Sequence, residues 1–312
     1  MNKRIAITGG GGFLGLNLVK LLIKKNTYQI VLLARSKKKY QIFFEGYDGI
    51  IFHEGDLLDS KSLNGFLTSD TILINLAYIN NKISSNSIAT SNLINAANEA
   101  NVSQLVHCSS AVVVGFSSNK FITENTPLRP VGNYQLNKVL LEKLFNKNLS
   151  TTIPLIIIRP TEILGVENKT IVHKMIDRHY KPSIFYKVNN FLLLNRRFNL
   201  VSVHNVTSAI NFLLNKSFTT NRNTFIISDD GDKDNNYKSI LKIIEDFHVE
   251  KSFSKNYISL PIFLLEIIFK FFIHHSPPNR IYSQEKIMKL GFHSKLSISE
   301  ATIQILTSLK KL

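Results

Sequence analysis

The stretch "RIAITGGGGFLG", residues 4–15, is the most informative part of the sequence, because apolar residues stand on both sides of four consecutive glycines. A flexible linker normally has polar flanks, so the pattern predicts a buried strand, a tight turn and a helix. Gly9, Gly12 and Gly15 allow a sharp turn, a close approach of backbone N–H groups to a pyrophosphate, and close packing of the helix. Gly10 and Gly11 are expected only to have room to be small. No Lys-Ser or Lys-Thr pair follows, which excludes the P-loop of ATP- and GTP-binding proteins.

Strand-like apolar runs recur up to residue 160 and alternate with helical patterns such as residues 87–100 and 134–147. The runs are "RIAIT", "QIVLLAR", "GIIFHEG", "TILINLA", "QLVHCSS" and "TIPLIIIRP". This alternation predicts an α/β protein, a doubly wound parallel sheet of the Rossmann type with helices on both faces. The continuous Ile, Val and Leu content fits strands that are buried on both sides.

The alternation weakens after Pro160, where a basic, aromatic stretch runs to Arg197. A strand is predicted at 199–203, a helix near 206–214 and another strand at 224–228. We therefore expect a dinucleotide-binding domain over residues 1–165, with 199–230 returning to it. Residues 166–198 and 231–312 would form a smaller, interleaved substrate-binding part.

The composition is that of a folded globular protein, with 312 residues, 44% hydrophobic and 19% charged. A single cysteine, Cys108, excludes an internal disulfide framework and a cysteine-based metal cluster, and its strand context predicts a small core residue. No metal site is expected, and the pair His274 and His275 is typical of a helix end. The N-terminus has no secretory apolar region, so we expect a cytoplasmic protein.

The net charge of +16 raises the question of a nucleic-acid partner. The basic residues are scattered, without a long basic run, so no nucleic-acid partner is predicted, and a basic surface would also suit a dinucleotide and a nucleoside-diphosphate substrate. The apolar run at 258–273 is shorter than the roughly 20 residues a membrane-spanning helix needs. No integral span is predicted. A buried or dimer-facing helix is the first interpretation, and peripheral membrane attachment is the second.

Two further positions are predicted to contact the dinucleotide. About 20 residues after the glycines, an acid would suit the 2′-hydroxyl of NAD, but the chain has Arg35, which suits the 2′-phosphate of NADP. A surface arginine at a strand end is the alternative. Asp56 is expected to end the third strand at the ligand-binding edge, with capping of the next helix as its alternative role.

The chain resembles the extended short-chain dehydrogenase/reductase family, which includes NAD-dependent epimerases and dehydratases of nucleotide sugars. The resemblance covers the first 165 residues well and the rest loosely, and the motifs that carry it are "TGGGGFLG", "GDLLD" (55–59), "NLA" (75–77), "SSAVVVG" (109–115), "YQLNK" (134–138) and "RPTEILG" (159–165). It implies cofactor contacts at Gly9, Gly12, Phe13, Leu14, Gly15, Arg35, Asp56, Leu57, Ala77, Tyr134, Lys138 and Pro160.

Tyr134 and Lys138 are four residues apart on a predicted helix and therefore share one face. The resemblance implies that Tyr134 is the acid/base, that Lys138 holds the nicotinamide ribose and favours tyrosinate, and that Ser110 orients the reacting oxygen, with Ser109 as the alternative serine. A free tyrosine has a pKa of about 10. For Tyr134 to ionise near neutral pH, its surroundings must lower that pKa to about 7 by stabilising the tyrosinate anion. A buried Lys138 together with an oxidised nicotinamide would supply that stabilisation.

Departures from the family pattern narrow the chemistry. Ala111 and Val112 stand where sugar 4,6-dehydratases carry Asp and Glu, and the cysteine of enzymes that epimerise C3 and C5 is also missing there. Without residues for dehydration or for that epimerisation, the chemistry that we expect is hydride transfer at one carbon. Val114 replaces a tyrosine common in the family, and Asn205 stands where many members have Asp.

Arg196 and Arg197 are the predicted substrate residues, together with Ser110, because guanidinium groups suit diphosphate oxygens. Solvated surface arginines are the alternative. His204 is interpreted as structural.

The predicted function is therefore an oxidoreductase that acts at C4 of a nucleoside-diphosphate sugar, as in polysaccharide biosynthesis. It would be a 4-keto reductase using NADPH or an epimerase using NAD, and Arg35 slightly favours NADP. A homodimer is usual for the family. The alternatives are a steroid- or flavonoid-type ketone reductase of the same family and a non-catalytic dinucleotide-binding protein.

Overall fold

The computed structural model describes residues 3–47, 49–79, 82–180, 188, 191–248, 259–268 and 277–310. Strands and helices alternate in the first part of the chain as β1 (Lys3–Thr8), α1 (Phe13–Lys25), β2 (Tyr28–Ala34), α2 (Lys37–Gln41), β3 (Ile50–Glu54), β4 (Thr71–Asn75), α3 (Ile83–Ala100) and β5 (Gln104–Cys108). Short 3-10 turns follow at Ile42–Phe44, Ser60–Leu63 and Ala111–Val114.

The second part of the chain is less regular. Its elements are β6 (Phe121–Ile122), α4 (Asn133–Asn148), β7 (Leu155–Pro160), β8 (Glu162–Leu164), α5 (Ile171–Tyr180), β9 (Leu200–Ser202), α6 (Val203–Leu213), β10 (Arg222–Ile227), α7 (Tyr237–His248), α8 (Ile262–Ile268), β11 (Ile281–Tyr282), α9 (Glu285–Met288) and α10 (Ile298–Lys310).

A seven-stranded sheet has the order β10-β7-β5-β4-β1-β2-β3. The pairings β2–β3, β1–β2, β1–β4, β4–β5 and β5–β7 are all parallel. The order reverses between β1 and β4, and a crevice forms outside the carboxyl ends of the strands at such a reversal. The predicted doubly wound α/β fold is confirmed, because each of the six predicted strands up to residue 160 forms and takes a place in this sheet.

The chain divides into two compact units. Unit 1 contains Met1–Val113, Gly132–Arg159 and Thr207–Phe225, and unit 2 contains Val114–Val131, Pro160–Val206 and Ile226–Leu312. These bounds differ from the predicted domains in three places. Residues 160–165, predicted in the dinucleotide-binding domain, group with unit 2. Residues 114–131 group with unit 2, where β6 pairs with β11. Of the predicted return at 199–230, only Thr207–Phe225 lies in unit 1, because β9 pairs with β8 in a separate small sheet.

Each unit has its own apolar core. In unit 1, helices α3 and α4 pack side by side and bury Leu93, Ile94 and Phe145 against the sheet. In unit 2, α5, α7 and α10 pack around side chains that include Met175, Ile244 and Ile305. Each buried Leu or Ile contributes roughly 1.5–3 kcal/mol when it leaves water, so both cores are substantial.

The apolar run predicted at 258–273 is only partly described, as α8 and the residues just before it, and His274 and His275 lie outside the described residues. Of the two forms of this prediction, a buried or a dimer-facing helix, the first does not hold for α8 within a single chain, and the second stays a prediction. Leu265 is buried, but Phe263, Leu264 and Ile267 are exposed. In the described part of the chain, no helix has the length and apolar character that crossing a membrane requires.

Asn205 is fully buried at the start of α6 and uses its whole amide group. Its Nδ2 donates to the Asp229 carboxylate at 2.9 Å and to the Leu296 carbonyl at 2.7 Å. Its Oδ1 accepts from the backbone N–H groups of Lys295 and Leu296. An aspartate here would face the buried Asp229 carboxylate, whose pKa burial already raises. The amide is therefore required by its surroundings.

We expect Asn205→Asp to lower the free energy of unfolding by about 3 kcal/mol at neutral pH, since it removes the Nδ2 donor and places a second carboxylate oxygen against Asp229. In the folded variant the two carboxyl groups would share a proton, with a pKa above that of the unfolded chain. The loss of stability should therefore grow as pH rises from 5 to 8 and this proton is released. Urea denaturation at both pH values measures this. Asn211→Asp, on the same helix but partly exposed, is the control, and an equal loss in both variants would contradict the prediction.

Candidate functional site

A cleft of about 390 Å³ opens in unit 1 at the carboxyl ends of β1, β2, β3 and β4. It is lined by Thr8, Gly9, Gly12, Leu33, Arg35, Tyr40, Gly55, Asp56, Leu57, Leu58, Leu76, Ala77, Tyr78 and Ile79. Its volume lies in the range of about 300–1,000 Å³ that small-molecule sites occupy. The cleft is therefore at the sheet reversal, where the predicted dinucleotide contacts were expected.

The glycine loop forms one wall of this cleft. Gly9 has φ +74°, and a Cβ there would lie 2.7 Å from the backbone nitrogen of Ala77, so the position requires glycine. The Gly12 N–H donates to the Gly9 carbonyl at 3.0 Å, and α1 begins directly afterwards. A Cβ on Gly15 would overlap the Gly9 carbonyl oxygen. This packing brings the first amides of α1 to the loop, where the helix leaves N–H groups unpaired.

The expectation that Gly11 merely has room to be small is wrong. A Cβ at Gly11 would lie 2.6 Å from the ring of Tyr40, which also lines the cleft. Tyr40 therefore covers the loop. Phe13 and Leu14, two further predicted cofactor contacts, are the first residues of α1 and are partly exposed.

Arg35 follows the last residue of β2, lines the cleft and is exposed. Among the described residues its guanidinium has no hydrogen-bond or ion-pair partner. Asp56 also lines the cleft, but β3 ends at Glu54, two residues earlier than expected. Its carboxylate accepts from Leu58 N at 2.9 Å, whereas Asp59 caps the following 3-10 turn. The alternative capping role predicted for Asp56 thus belongs to Asp59.

Tyr134 and Ser110 lie together in unit 1. The Ser110 side chain is hydrogen-bonded to Tyr134, which lowers the pKa of the phenol. Desolvation of the hydroxyl is the larger effect and raises the pKa of Tyr134 to about 12, although 39% of the residue is exposed. The phenol is thus protonated at neutral pH. Ser109, the alternative serine, is buried, and its hydroxyl has no hydrogen-bond partner among the described residues.

Lys138 is 5% exposed, one helical turn after Tyr134. Its Nζ donates to the Cys108 carbonyl at 3.0 Å and lies 6.0 Å from the centre of the Tyr134 ring. Burial lowers the pKa of Lys138, while the Cys108 thiol and Glu142 raise it. Cys108 itself is buried, as predicted, and burial raises the pKa of its thiol.

A buried ion pair fixes the helix that carries these groups. Glu142 on α4 accepts from Arg159 on β7 at 3.0 Å from Nε and 2.7 Å from Nη2. Both side chains are almost fully buried. Because the pair is bidentate, it restricts both the position and the rotation of α4 relative to the sheet.

A chain of buried hydrogen bonds joins the three central strands β1, β4 and β5. The Thr8 hydroxyl donates to Asn75 Oδ1 at 2.6 Å, and Asn75 Nδ2 lies 3.1 Å from His107 Nδ1. Burial lowers the pKa of His107 well below its usual value, so the ring is neutral and Nδ1 accepts from Asn75. These residues directly precede the loops that line the cleft and the cluster around Lys138.

Tyr78 and Asn137 were missed in the sequence. Tyr78 lines the cleft, its ring centre is 4.6 Å from Lys138 Nζ, and it meets the Tyr134 ring edge-on at 5.3 Å. Asn137 Nδ2 donates to the Tyr78 hydroxyl at 3.1 Å. The available signal was position, since Tyr78 follows Ala77 at the carboxyl end of β4.

The remaining predicted site residues belong to unit 2. Pro160 ends β7 and is buried. Arg197 Nη1 donates to the Asp230 carbonyl at 2.8 Å, so this side chain is tied to the main chain. Burial lowers the pKa of Arg196, and Glu162 opposes this shift. Neither arginine is a freely solvated surface residue. Within the described ranges, no group of three metal-ligating side chains forms.

The sequence matches the model of the NAD dependent epimerase/dehydratase family over residues 5–227. A GDP-6-deoxy-D-talose 4-dehydrogenase from Aggregatibacter actinomycetemcomitans is 27% identical over 68% of this chain and 70% of that enzyme. A decarboxylating sterol-4-alpha-carboxylate 3-dehydrogenase from Mus musculus is 28% identical over 60% of this chain and 53% of that enzyme.

Among solved structures, the Bordetella bronchiseptica enzyme WbmG in complex with NAD and UDP has the same fold. The TM-score is 0.75, with 15% identity, over all of this chain and 96% of that one. The fold, the glycine turn and the sequence match agree, and the chain belongs to the NAD dependent epimerase/dehydratase family.

Proposed function

We propose that this protein is an NAD(P)-dependent oxidoreductase that acts at C4 of a nucleoside-diphosphate sugar, either as a 4-keto reductase or as a 4-epimerase. The observation that carries the proposal is the cluster of Ser110, Tyr134 and Lys138 in the unit that also holds the glycine-lined cleft. An acid/base, an orienting hydroxyl and a buried cation are the protein groups that hydride transfer to a carbonyl requires.

The cleft fits a dinucleotide. Gly9 leaves no space for a side chain at the turn, and α1 offers its first amides to a pyrophosphate. Gly12, Phe13 and Leu14 would contact the pyrophosphate side, and Asp56, Leu57 and Ala77 would line the adenosine side. When bound, the nicotinamide supplies the hydride. We assign Lys138 to the ribose next to it.

Tyr134 would move the proton at the reacting oxygen, and Ser110 would hold that oxygen in place. In reduction, the Tyr134 hydroxyl donates its proton to the ketone oxygen as the C4–H bond forms. A raised pKa suits this direction, because the hydroxyl stays protonated. In oxidation, Tyr134 must accept the proton, so that direction depends on nearby positive charge to lower its pKa. An epimerase would need both directions.

Arg35 supports NADP as the cofactor. Its side chain lies at the cleft without a partner among the described residues, so it is available to a 2′-phosphate. NADP would in turn favour the reductase, because a reductase exchanges its cofactor in every cycle whereas an epimerase regenerates it.

A sugar nucleotide is the substrate class that the relatives support. One relative is named for a GDP-sugar, and the neighbouring fold was solved with UDP. We assign the diphosphate to Arg196 and Arg197, because guanidinium groups suit phosphate oxygens and the main-chain hydrogen bond of Arg197 uses only Nη1. Both arginines belong to unit 2, which we propose as the substrate-binding part.

A steroid-type ketone reductase is the second candidate, because one relative is named for a sterol substrate. The same three residues would carry out its chemistry. A non-catalytic dinucleotide-binding protein is less consistent with an intact Ser110, Tyr134 and Lys138 cluster.

We further propose a homodimer. Helices α3 and α4 pack side by side and expose Ile83 and Ile88 on one and Leu136 and Leu140 on the other. Exposed apolar side chains on two adjacent helices are suited to burial against a second copy of the chain.

The first test is the nucleotide content of protein purified without added cofactor. Mass spectrometry after denaturation should find no retained nucleotide, and the protein should bind NADPH more tightly than NADH. Retained NAD would instead favour the epimerase, since its cycle never releases the cofactor. Binding of neither dinucleotide would contradict the proposal.

Tyr134→Phe should reduce kcat with a 4-keto sugar nucleotide at least about a hundredfold, because the proton donor is removed. Cofactor affinity should stay within about threefold, since the ring remains. In the wild type, ketone reduction should be independent of pH between about 6 and 10, while the reverse oxidation rises with pH. Tyr47→Phe, away from the cleft, is the control. Near-wild-type kcat in Tyr134→Phe would show that another group is the acid/base.

Arg35→Asp should change the ratio of the NADPH and NADH dissociation constants at least about tenfold in favour of NADH, because it replaces a phosphate-binding cation with a hydroxyl acceptor. Calorimetric titration measures both constants. Lys20→Asp makes the same charge change on an exposed face of α1. An unchanged ratio in Arg35→Asp, or an equal change in Lys20→Asp, would remove the reason for preferring NADP.

A further inference from the structure

Tyr78 stands where the cleft meets the acid/base cluster. It follows β4 at the carboxyl edge of the sheet and lines the same cleft as the glycine loop and Arg35. No other residue in the described parts of the chain both lines this cleft and contacts Tyr134 and Lys138 through its ring.

Tyr78 gives the Lys138 ammonium a second partner. Lys138 is 5% exposed, and its Nζ donates to the carbonyl of Cys108. The face of the Tyr78 ring lies 4.6 Å from the same nitrogen. An ammonium over an aromatic face is attracted by the ring quadrupole, and the attraction grows when the pair is withdrawn from water. The ring therefore offsets part of the cost of burying the charge.

Tyr78 also restrains Tyr134. The two rings meet edge-on with centres 5.3 Å apart, at an interplanar angle of 79°. The Tyr78 ring is itself held, because Asn137 Nδ2 donates to its hydroxyl at 3.1 Å and Asn137 is fully buried. Asn137 lies on α4 between Tyr134 and Lys138, so one helix carries these three contacts of the Tyr78 ring.

We propose that Tyr78 is a positioning residue for the reaction proposed above, holding Lys138 in its charged form and Tyr134 in its reactive orientation. The contact between the ring and the ammonium is present whatever the substrate is. Only its effect on turnover rests on the proposed function.

Several titratable groups surround Lys138, and their effects on its protonation must be distinguished from the effect of the Tyr78 ring. They are His107 and Cys108 on β5, Tyr134 and Glu142 on α4, and Tyr78 itself. His107 is neutral, and Glu142 is paired with Arg159. Variants that change only the ring of Tyr78 therefore test its own contribution.

The experiment follows the ε-carbon of Lys138 by NMR in lysine-labelled protein during a pH titration, with the resonance assigned by its loss in Lys138→Met. Tyr78→Leu removes the ring, and Lys138 should then bind its proton about tenfold more weakly. Tyr78→Phe keeps the ring and should keep the wild-type titration. Tyr47→Leu, an exposed tyrosine outside the cleft, is the matched control. A titration unchanged within about twofold in Tyr78→Leu would overturn the proposal.

If Tyr78→Leu does not fold, the proposal is tested in the wild type and in Tyr78→Phe by the chemical shifts of the Lys138 ε-protons. The ring current should shift the Lys138 ε-proton resonances upfield in both, and resonances at their usual position would overturn the proposal.

Turnover tests the second half of the proposal. With the substrate that the wild type reduces, Tyr78→Leu should lower kcat at least about tenfold with KM within about threefold, and move the alkaline limb of the pH profile. Tyr78→Phe should recover most of kcat. A weakened Lys138 proton affinity with wild-type kcat would overturn the link to catalysis. If the wild type turns over no sugar nucleotide, the proposed function fails, and the titration still decides whether Tyr78 stabilises the Lys138 charge.

Discussion

The buried ion pair between Glu142 and Arg159 is the interaction on which the acid/base cluster depends. It ties α4 to β7, and α4 carries Tyr134, Asn137 and Lys138. Since a bidentate pair fixes rotation as well as distance, Asn137 and Lys138 are buried against residues at the carboxyl ends of β4 and β5, and Tyr134 lies beside them. Loss of either partner would leave an uncompensated buried charge and release the helix. The site is thus held by an interaction in which none of its own groups takes part.

Two features of the sheet then bring the cleft to the same edge. The strand order reverses between β1 and β4, and Gly9 packs against the peptide of Ala77 across that reversal. In the same sheet, buried side-chain hydrogen bonds from Thr8 through Asn75 to His107 join β1, β4 and β5. A dinucleotide cleft and an acid/base cluster next to each other follow from this arrangement, because parallel strands deliver their carboxyl ends to one side.

Local sequence patterns identified the strands and the glycine turn because each depends on neighbouring residues. Burial on both faces produces continuous apolar runs, and a positive φ with a close backbone approach requires glycine at Gly9. The four-residue spacing placed Tyr134 and Lys138 on one helical face, and the structure has them there. The unit bounds were less predictable, because β6 joins unit 2 through a partner strand about 160 residues later.

Periodicity and short motifs were sufficient to predict the doubly wound sheet, the glycine turn and the membership of an epimerase/dehydratase family, since they encode local geometry. The surroundings of each charged or ionisable group became apparent only in the folded chain. The structure showed that Lys138 lies on the ring of Tyr78, that Asn205 is required by a buried carboxylate, and that desolvation raises the pKa of Tyr134. These properties depend on which distant residues exclude water from a group, and spacing along the chain contains no measure of that.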